Sequence, residues 1–119
     1  MHVLLHLISR TELSYDDIDR IMEPYYEGNV YKYNPVTEEY DEPALYPQFT
    51  WDYYTVHRPL WFPKVEDCGI IIDPNGHAIA RSWWNGKDHV NQYELFDSFI
   101  VMHRHRWDGC YMYEIDIHW

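Results

Sequence analysis

Residues at the two ends of the chain have the types and spacing of an acid–base or metal site. His2 and His6 lie in the apolar segment HVLLHLI, and Asp116 and His118 lie in the alternating segment that ends the chain. On β-strands, residues two or four apart share a face, and two histidines beside a carboxylate can hold a divalent metal. One hypothesis is therefore a small metal-dependent or histidine-based enzyme that uses these four residues.

The other interpretation of the same residues is that they are solvated polar positions on an exposed sheet face. No spacing among them has the specificity of a tight metal motif. The chain also has no phosphate-binding glycine-rich loop and no serine-nucleophile motif. Cys68 and Cys110 fit no zinc pattern and are interpreted as small core residues. We therefore favour a protein with no catalytic residues, no bound metal and no cofactor.

Four segments that would position these residues have strand patterns. His2 to Ile8 is almost entirely apolar, which is typical of a central strand. Residues 68–73 and 77–84 flank Pro74-Asn75-Gly76, a sequence typical of a tight turn, so they predict a hairpin. Tyr111 to Trp119 alternates apolar and polar side chains, which predicts a half-buried strand at the edge of a sheet.

Two helices separate these strands. Ser14 precedes Asp17 by three residues, as in a capping box, and an apolar helical face follows until Pro24. Asn91 precedes Glu94 in the same way and begins a second helix that ends near the basic residues 103–106. The order strand, helix, strand, strand, helix, strand predicts an α+β, ferredoxin-like βαββαβ sandwich, in which two helices cover one face of a four-stranded antiparallel sheet. We expect one domain, residues 1–119.

Residues 25–66 form a long insertion after the first helix, and they are acidic, aromatic and rich in proline. A strand is expected around Phe49 to Val56. Large aromatic side chains are frequent anchors of protein interfaces, although in this chain they also fit a second small core over the sheet. We predict that the insertion carries a partner-binding surface composed of Glu38, Glu39, Asp41, Glu42, Trp51, Asp52, Tyr53, Tyr54 and Trp61.

The net charge of −11 limits the classes of partner. Of the 20 acidic residues, 13 lie between Glu12 and Asp67, so a phosphate backbone would be repelled and a basic partner would be attracted. Ordinary solubility explains such a charge equally well. The longest apolar runs are far shorter than the roughly 20 residues of a membrane span. Met1 to Arg10 has neither the basic start nor the cleavage site of a signal peptide, so we expect a cytoplasmic protein.

Four segments resemble short phage and prophage proteins of unassigned function. They are HVLLHLI, residues 22–29 (MEPYYEGN), residues 51–54 (WDYY) and residues 114–118 (EIDIH). Where those proteins continue with Gly-Gly-Arg-Trp, this chain has Val56-His57-Arg58-Pro59-Leu60-Trp61. The resemblance implies a phage origin and no defined reaction. Small acidic phage proteins often inhibit host defence, including restriction enzymes and CRISPR effectors.

The leading hypothesis is thus a phage-encoded inhibitor, of the anti-CRISPR or anti-restriction type, in the host cytoplasm. It would bind the basic groove of a host nucleic-acid-targeting protein and present carboxylates where phosphates bind. The enzyme described above is the alternative. A third hypothesis, a module that sequesters a nucleotide-like signal by stacking, is disfavoured by the acidic charge. The sequence leaves open the partner's identity and the oligomeric state.

Overall fold

The computed structural model describes residues 2–43, 45–60 and 68–119. Its centre is a mixed five-stranded sheet with strand order β4-β9-β1-β5-β6. β1 pairs in parallel with β5 and antiparallel with β9, and the other two pairings are antiparallel. The strands of this sheet are β1 (His2–Ser9), β4 (Tyr53–Leu60), β5 (Ile70–Ile72), β6 (Ala78–Ala80) and β9 (Tyr111–His118).

Two small hairpins and three α-helices complete the architecture. The hairpins pair β2 (Lys32–Asn34) with β3 (Glu39–Asp41), and β7 (Ser82–Trp84) with β8 (His89–Asn91). The helices are α1 (Tyr15–Met22), the short α2 (Glu27–Val30) and α3 (Tyr93–His103), and 3-10 turns follow at Glu23–Tyr25 and Arg104–Trp107. None of the helices in the described part of the chain has the length and apolar character needed to cross a membrane.

The two main helices cover opposite faces of the sheet, so the prediction that both lie on one face is wrong. On one side, Ile18 and Met22 of α1 pack with odd-numbered strand residues such as Leu5 and Ile115; we call this the α1-side core. On the other side, Phe96 and Ile100 of α3 pack with Ile8, Ile71 and Met112 in the α3-side core. The physical reason is β1 itself, since an almost wholly apolar strand must be covered on both faces.

The α+β class is confirmed, but the ferredoxin-like strand order is wrong. β5 lies directly beside β1 and runs parallel to it, whereas every pair of strands in the predicted sandwich is antiparallel. Ile70, Ile71 and Ile72 are all buried, and a strand that is apolar on both faces is most stable between two neighbours. β6 then occupies the edge, joined to β5 by the predicted tight turn. In that turn Asp73 Oδ1 accepts hydrogen bonds from the backbone N–H groups of Asn75 and His77, and Gly76 has a φ of 84°.

The predicted edge position of the last strand is also wrong. β9 lies between β1 and β4, because residues 53–60 of the insertion form a full-length edge strand. The alternation along β9 therefore marks a difference between the two faces of the sheet. The α1-side core contains Tyr113, Ile115 and Ile117 of β9, and the opposite face carries Met112, Glu114, Asp116 and His118.

The boundaries of the two main helices agree with the sequence patterns. Ser14 Oγ accepts a hydrogen bond from the backbone N–H of Asp17, whose carboxylate accepts one from the Ser14 N–H. That reciprocal pair is the predicted capping box, and these hydrogen bonds lower the pKa of Asp17. α3 begins after Gln92, which makes no side-chain cap, so the capping role predicted for Asn91 is wrong. The predicted strand at residues 77–84 breaks at Arg81, and its second half pairs with β8.

Candidate functional site

The sheet face opposite α1 is divided between a covered half and a polar half. α3 packs over Ile8, Ile71 and Met112, whereas the other half carries seven ionisable side chains. Cross-strand partners share a face in an antiparallel pair, and the register places His2 opposite His118 and His6 opposite Glu114. We call this set the histidine row; its members are His2, His6, His57, His118, Asp52, Glu114 and Asp116.

Carboxylates hold three of the four histidines by the same ring atom. Nδ1 of His118 lies 2.7 Å from Asp52 Oδ1, and Nδ1 of His2 lies 3.1 Å from Asp116 Oδ1. Nδ1 of His57 lies 3.0 Å from Glu114 Oε1. A carboxylate at one ring nitrogen sets the orientation of an imidazole. The row is therefore a set of oriented imidazoles, the arrangement that proton transfer requires.

Ring contacts join the exposed end of the row. The His118 ring stacks on Tyr53 at a centroid distance of 4.6 Å and lies 4.9 Å from the His2 ring. At the other end His6 is 1% exposed, and its Nε2 lies 3.7 Å from Glu114 Oε2. The row thus runs from a solvated aromatic end to a buried histidine inside the sheet.

Strand β4 brings His57 to Glu114 at an irregularity of the sheet. The register shifts between Val56 and Arg58, so that Arg58 is the backbone partner of Glu114. A bulge of this kind adds a residue to one strand and redirects a side chain. His57 lies at the shift, with Nδ1 3.0 Å from Glu114 Oε1 and Nε2 3.9 Å from Asp116 Oδ2.

Two carboxyl groups of the row have shifted pKa values. The hydrogen bond from His118 lowers the pKa of Asp52, and the hydrogen bond from His57 lowers the pKa of Glu114; burial opposes both effects. A carboxyl group whose pKa is lower in the folded state contributes stability above its ordinary pKa of about 4. That contribution is lost as the pH falls through the folded-state value.

We therefore expect acid to destabilise the protein partly through the histidine row. As the pH falls from about 5 to about 3, the melting temperature of the natural protein should fall more steeply than that of an Asp52→Asn/Glu114→Gln variant. At neutral pH the variant should have a lower melting temperature than the natural protein, and its melting temperature should fall less on acidification. Thermal melts at a series of pH values measure this.

The control is Glu12→Gln/Asp108→Asn, which removes two exposed carboxylates outside the row. Its melting temperature should fall with pH as steeply as that of the natural protein. If the melting temperature of the Asp52→Asn/Glu114→Gln variant also falls as steeply, the hydrogen bonds of the row contribute nothing to acid sensitivity.

The geometry of the row does not favour a metal centre. Within residues 2–43, 45–60 and 68–119, no three His, Cys, Asp or Glu side chains converge in a way that could hold a metal ion. The four residues of the sequence-derived enzyme hypothesis, His2, His6, Asp116 and His118, do lie on one face. They are spread along β1 and β9, each beside a carboxylate or imidazole partner, so the arrangement fits proton transfer better than coordination.

Three residues of the row lie outside the sequence-derived enzyme hypothesis: Glu114 of β9, Asp52, which was predicted as a partner-binding residue, and His57. Asp52 and His57 belong to the insertion. Alternation along the strand around residues 53–57 was a usable signal, because Tyr53, Thr55 and His57 share a parity. Pairing of that strand with β9 could not be derived from the pattern.

A second candidate site lies in the part of the insertion that precedes β4. β2 and β3 form a hairpin of residues 32–42 in which Lys32 is the one cation against Glu38, Glu39, Asp41 and Glu42. All four carboxylates are exposed. We call residues 32–42 the acidic hairpin.

Two tyrosines that were not predicted as contact residues lie within the acidic hairpin. Tyr33 and Tyr40 are cross-strand partners with ring centroids 5.4 Å apart, and they are 55% and 68% exposed. The turn is defined by a hydrogen bond from the Val36 N–H to Asn34 Oδ1. Glu42 raises the pKa of Tyr46, as does burial of the ring, which is the larger cause. The hairpin therefore combines exposed aromatic area with negative potential.

The predicted contact surface is divided among several parts of the fold. Trp51 and Tyr54 pack against the α1-side core, and the Trp51 Nε1–H donates to the Met22 carbonyl oxygen. Asp52 and Tyr53 contact His118 on the opposite face. Trp61 lies outside the described residues. Among the described members of the predicted surface, the four hairpin carboxylates lie close together and are all exposed.

Comparisons of the chain with protein families, curated proteins and solved structures found no match.

Proposed function

We propose that this protein is a phage-encoded inhibitor, of the anti-CRISPR or anti-restriction type, that binds the basic groove of a host nucleic-acid-targeting protein. The acidic hairpin occupies positions that phosphates would take. The observation that carries the proposal is the coincidence of four exposed carboxylates and two exposed, paired tyrosines on one short hairpin. The phage origin is supported by the resemblance of four segments described above.

The chemistry of the hairpin favours a partner rich in arginine and lysine. Carboxylates accept charge-assisted hydrogen bonds from guanidinium groups, often two at a time. Tyrosines supply rigid contact area with a polar end, as at many interface hot spots. A net charge of −11 adds long-range attraction to a basic groove and repulsion from nucleic acid itself.

The proposal is tested by capture from a bacterial host lysate. The tagged full chain should retain a nuclease or CRISPR effector at low salt and release it as the salt approaches and exceeds physiological strength, because screening weakens exposed charge pairs. An oligonucleotide that the partner binds should compete with the captured protein. Mass spectrometry identifies the partner, and elution at each salt step measures the dependence.

Two results would contradict this proposal. One is a captured protein without a nucleic-acid-binding groove. The other is a captured nuclease whose release is insensitive to salt and to the oligonucleotide, since charge mimicry predicts competition for the same basic residues.

The histidine row favours a second function, a histidine-based enzyme. Asp52 and Asp116 orient His118 and His2, and the two rings lie side by side. Such a pair can donate and accept protons at one substrate. This function ranks second because the cavity of about 380 Å³ described below is not lined by His2, His57 or His118. A His2→Gln/His118→Gln variant separates the two functions: an inhibitor should still capture its partner.

A further inference from the structure

A cavity of about 380 Å³ lies beside the sheet, and its lining includes no residue of β2 or β3 and no histidine of the row. The sheet contributes Val3, Ile70 and Ile117 to its lining, and Gln48 and residues of the β7–β8 hairpin also line it. Cavities of this size are typical of small-molecule sites. The volume therefore admits a ligand much larger than water.

The lining of the cavity is dominated by aromatic rings. Three of these side chains are about half exposed, namely Trp84, Tyr93 and Trp119. Exposed aromatic side chains that gather at one concave place commonly mark a binding site, and they provide faces on which a planar molecule can stack. The aromatic side chains of the lining are Tyr31, Phe49, Trp83, Trp84, Tyr93 and Trp119.

Two polar groups of the lining, those of Trp83 and Gln48, offer hydrogen-bond donors. The Trp83 Nε1–H is enclosed and has no hydrogen-bond partner among the described residues. Gln48 Oε1 already accepts from the Ala80 N–H and from Gln92 Nε2, which leaves the Gln48 amide nitrogen as the end with donors to offer. A carbonyl oxygen or ring nitrogen in the cavity would accept from Gln48, and from Trp83 after a small rotation of the indole ring.

The charges near the cavity favour a neutral ligand. Arg81 lines it, but this guanidinium donates from Nε to the Cys68 carbonyl oxygen and pairs through Nη1 with Asp97 at 3.2 Å. Burial raises the pKa of the Tyr31 hydroxyl, and the negative charges of Glu42 and Glu27 raise it further. A phosphate group placed near Tyr31 would meet the same negative potential.

We propose that this cavity binds a neutral, planar heteroaromatic molecule of nucleoside size. The rings of Trp84, Tyr93 and Trp119 stack on the ligand, and the N–H groups of Gln48 and Trp83 bind its acceptor atoms. This site is independent of the acidic hairpin, so either can fail without the other.

The test uses adenosine as the probe and the indole N–H signals of the ¹⁵N-labelled full chain as the readout, assigned with single Trp→Phe variants. Millimolar adenosine should shift the signals of Trp83, Trp84 and Trp119 along one saturating curve. The signals of Trp51, whose N–H is bonded to Met22, and of Trp107, beyond the far end of α3, should stay in place. Adenosine monophosphate should bind more weakly than adenosine at low salt.

Variants of exposed residues show whether stacking carries the binding. Trp84→Ala should weaken adenosine binding roughly tenfold or more. The matched control, Tyr15→Ala, removes an exposed aromatic ring from α1 and should leave binding unchanged. The proposal is overturned if adenosine shifts no indole signal, if Trp51 and Trp107 shift equally with the others, if the monophosphate binds more tightly, or if Trp84→Ala binds adenosine as the natural protein does.

Discussion

Replacing Phe96 by alanine is expected to lower the free energy of unfolding by about 3–5 kcal/mol, and Met22→Ala by about 2–5 kcal/mol. Both side chains are fully buried, one in the α3-side core and the other in the α1-side core. The sheet separates the two cores, so the losses in the double variant should add to within about 0.5 kcal/mol. Denaturant unfolding of the natural protein, the two single variants and the double variant measures whether the losses add.

A second pair of alanine substitutions, both within the α3-side core, provides the control. Phe96 and Ile100 belong to the same cluster, so their alanine variants share a cavity, and coupling of about 0.5–3 kcal/mol is expected. If the double alanine variants do not fold, Ile18→Val and Ile100→Val repeat the cross-sheet test at about 1 kcal/mol each. Coupling between Met22 and Phe96 as large as that between Phe96 and Ile100 would mean that the two helices share one core.

Local patterns predicted most individual elements of the fold correctly. The strand at residues 2–8, the two helices, the turn at Pro74-Asn75-Gly76 and the last strand were found, because each depends on side-chain periodicity or on turn chemistry within a few residues. The capping box at Ser14 is the clearest case, since both of its hydrogen bonds lie within four residues of sequence.

Long-range pairing could not be derived in the same way. The choice of β5 as the neighbour of β1 depends on which strand buries most apolar area between two others, and the three isoleucines of β5 carry that information only when compared with the alanines of β6. The apolar character of both faces of β1 was visible in the sequence. It predicted a central position for β1, which is confirmed, but it did not predict which helix covers each face.

The candidate site shows the same division. Residue parity placed His2, His6, Asp116 and His118 on one face correctly. His57 and Asp52 joined them through β4 and the residue before it. A strand around Phe49 to Val56 was predicted there, but its pairing with β9 was not. In the acidic hairpin the carboxylates were identified from charge alone. Tyr33 and Tyr40 were missed because their cross-strand pairing arises from the hairpin register.

Neutralising the acidic hairpin is expected to slow association with the captured partner by about tenfold or more at low salt and to remove most of the salt dependence. Charge complementarity acts mainly on association, through long-range attraction. The variant is Glu38→Gln/Glu39→Gln/Asp41→Asn/Glu42→Gln. Surface plasmon resonance at several salt concentrations measures its association and dissociation rates separately.

The matched control changes the net charge equally at exposed positions elsewhere: Glu12→Gln/Asp16→Asn/Glu94→Gln/Asp108→Asn. If the effect is local to the hairpin, this control should lose much less of the association rate. Equal losses in the two variants would assign the attraction to the overall charge and would contradict a specific acidic hairpin.

The tyrosines of the acidic hairpin should act mainly on the dissociation rate. Tyr33→Ala or Tyr40→Ala should weaken binding about 30-fold, mostly through faster dissociation, because a desolvated aromatic anchor contributes once the complex has formed. Each alanine also removes the cross-strand ring contact, worth about 0.5–1.5 kcal/mol to the hairpin itself. Tyr→Phe keeps that contact and most of the buried area, so it should retain most of the affinity. If both alanine variants dissociate at the natural rate, the hairpin engages its partner through charge alone.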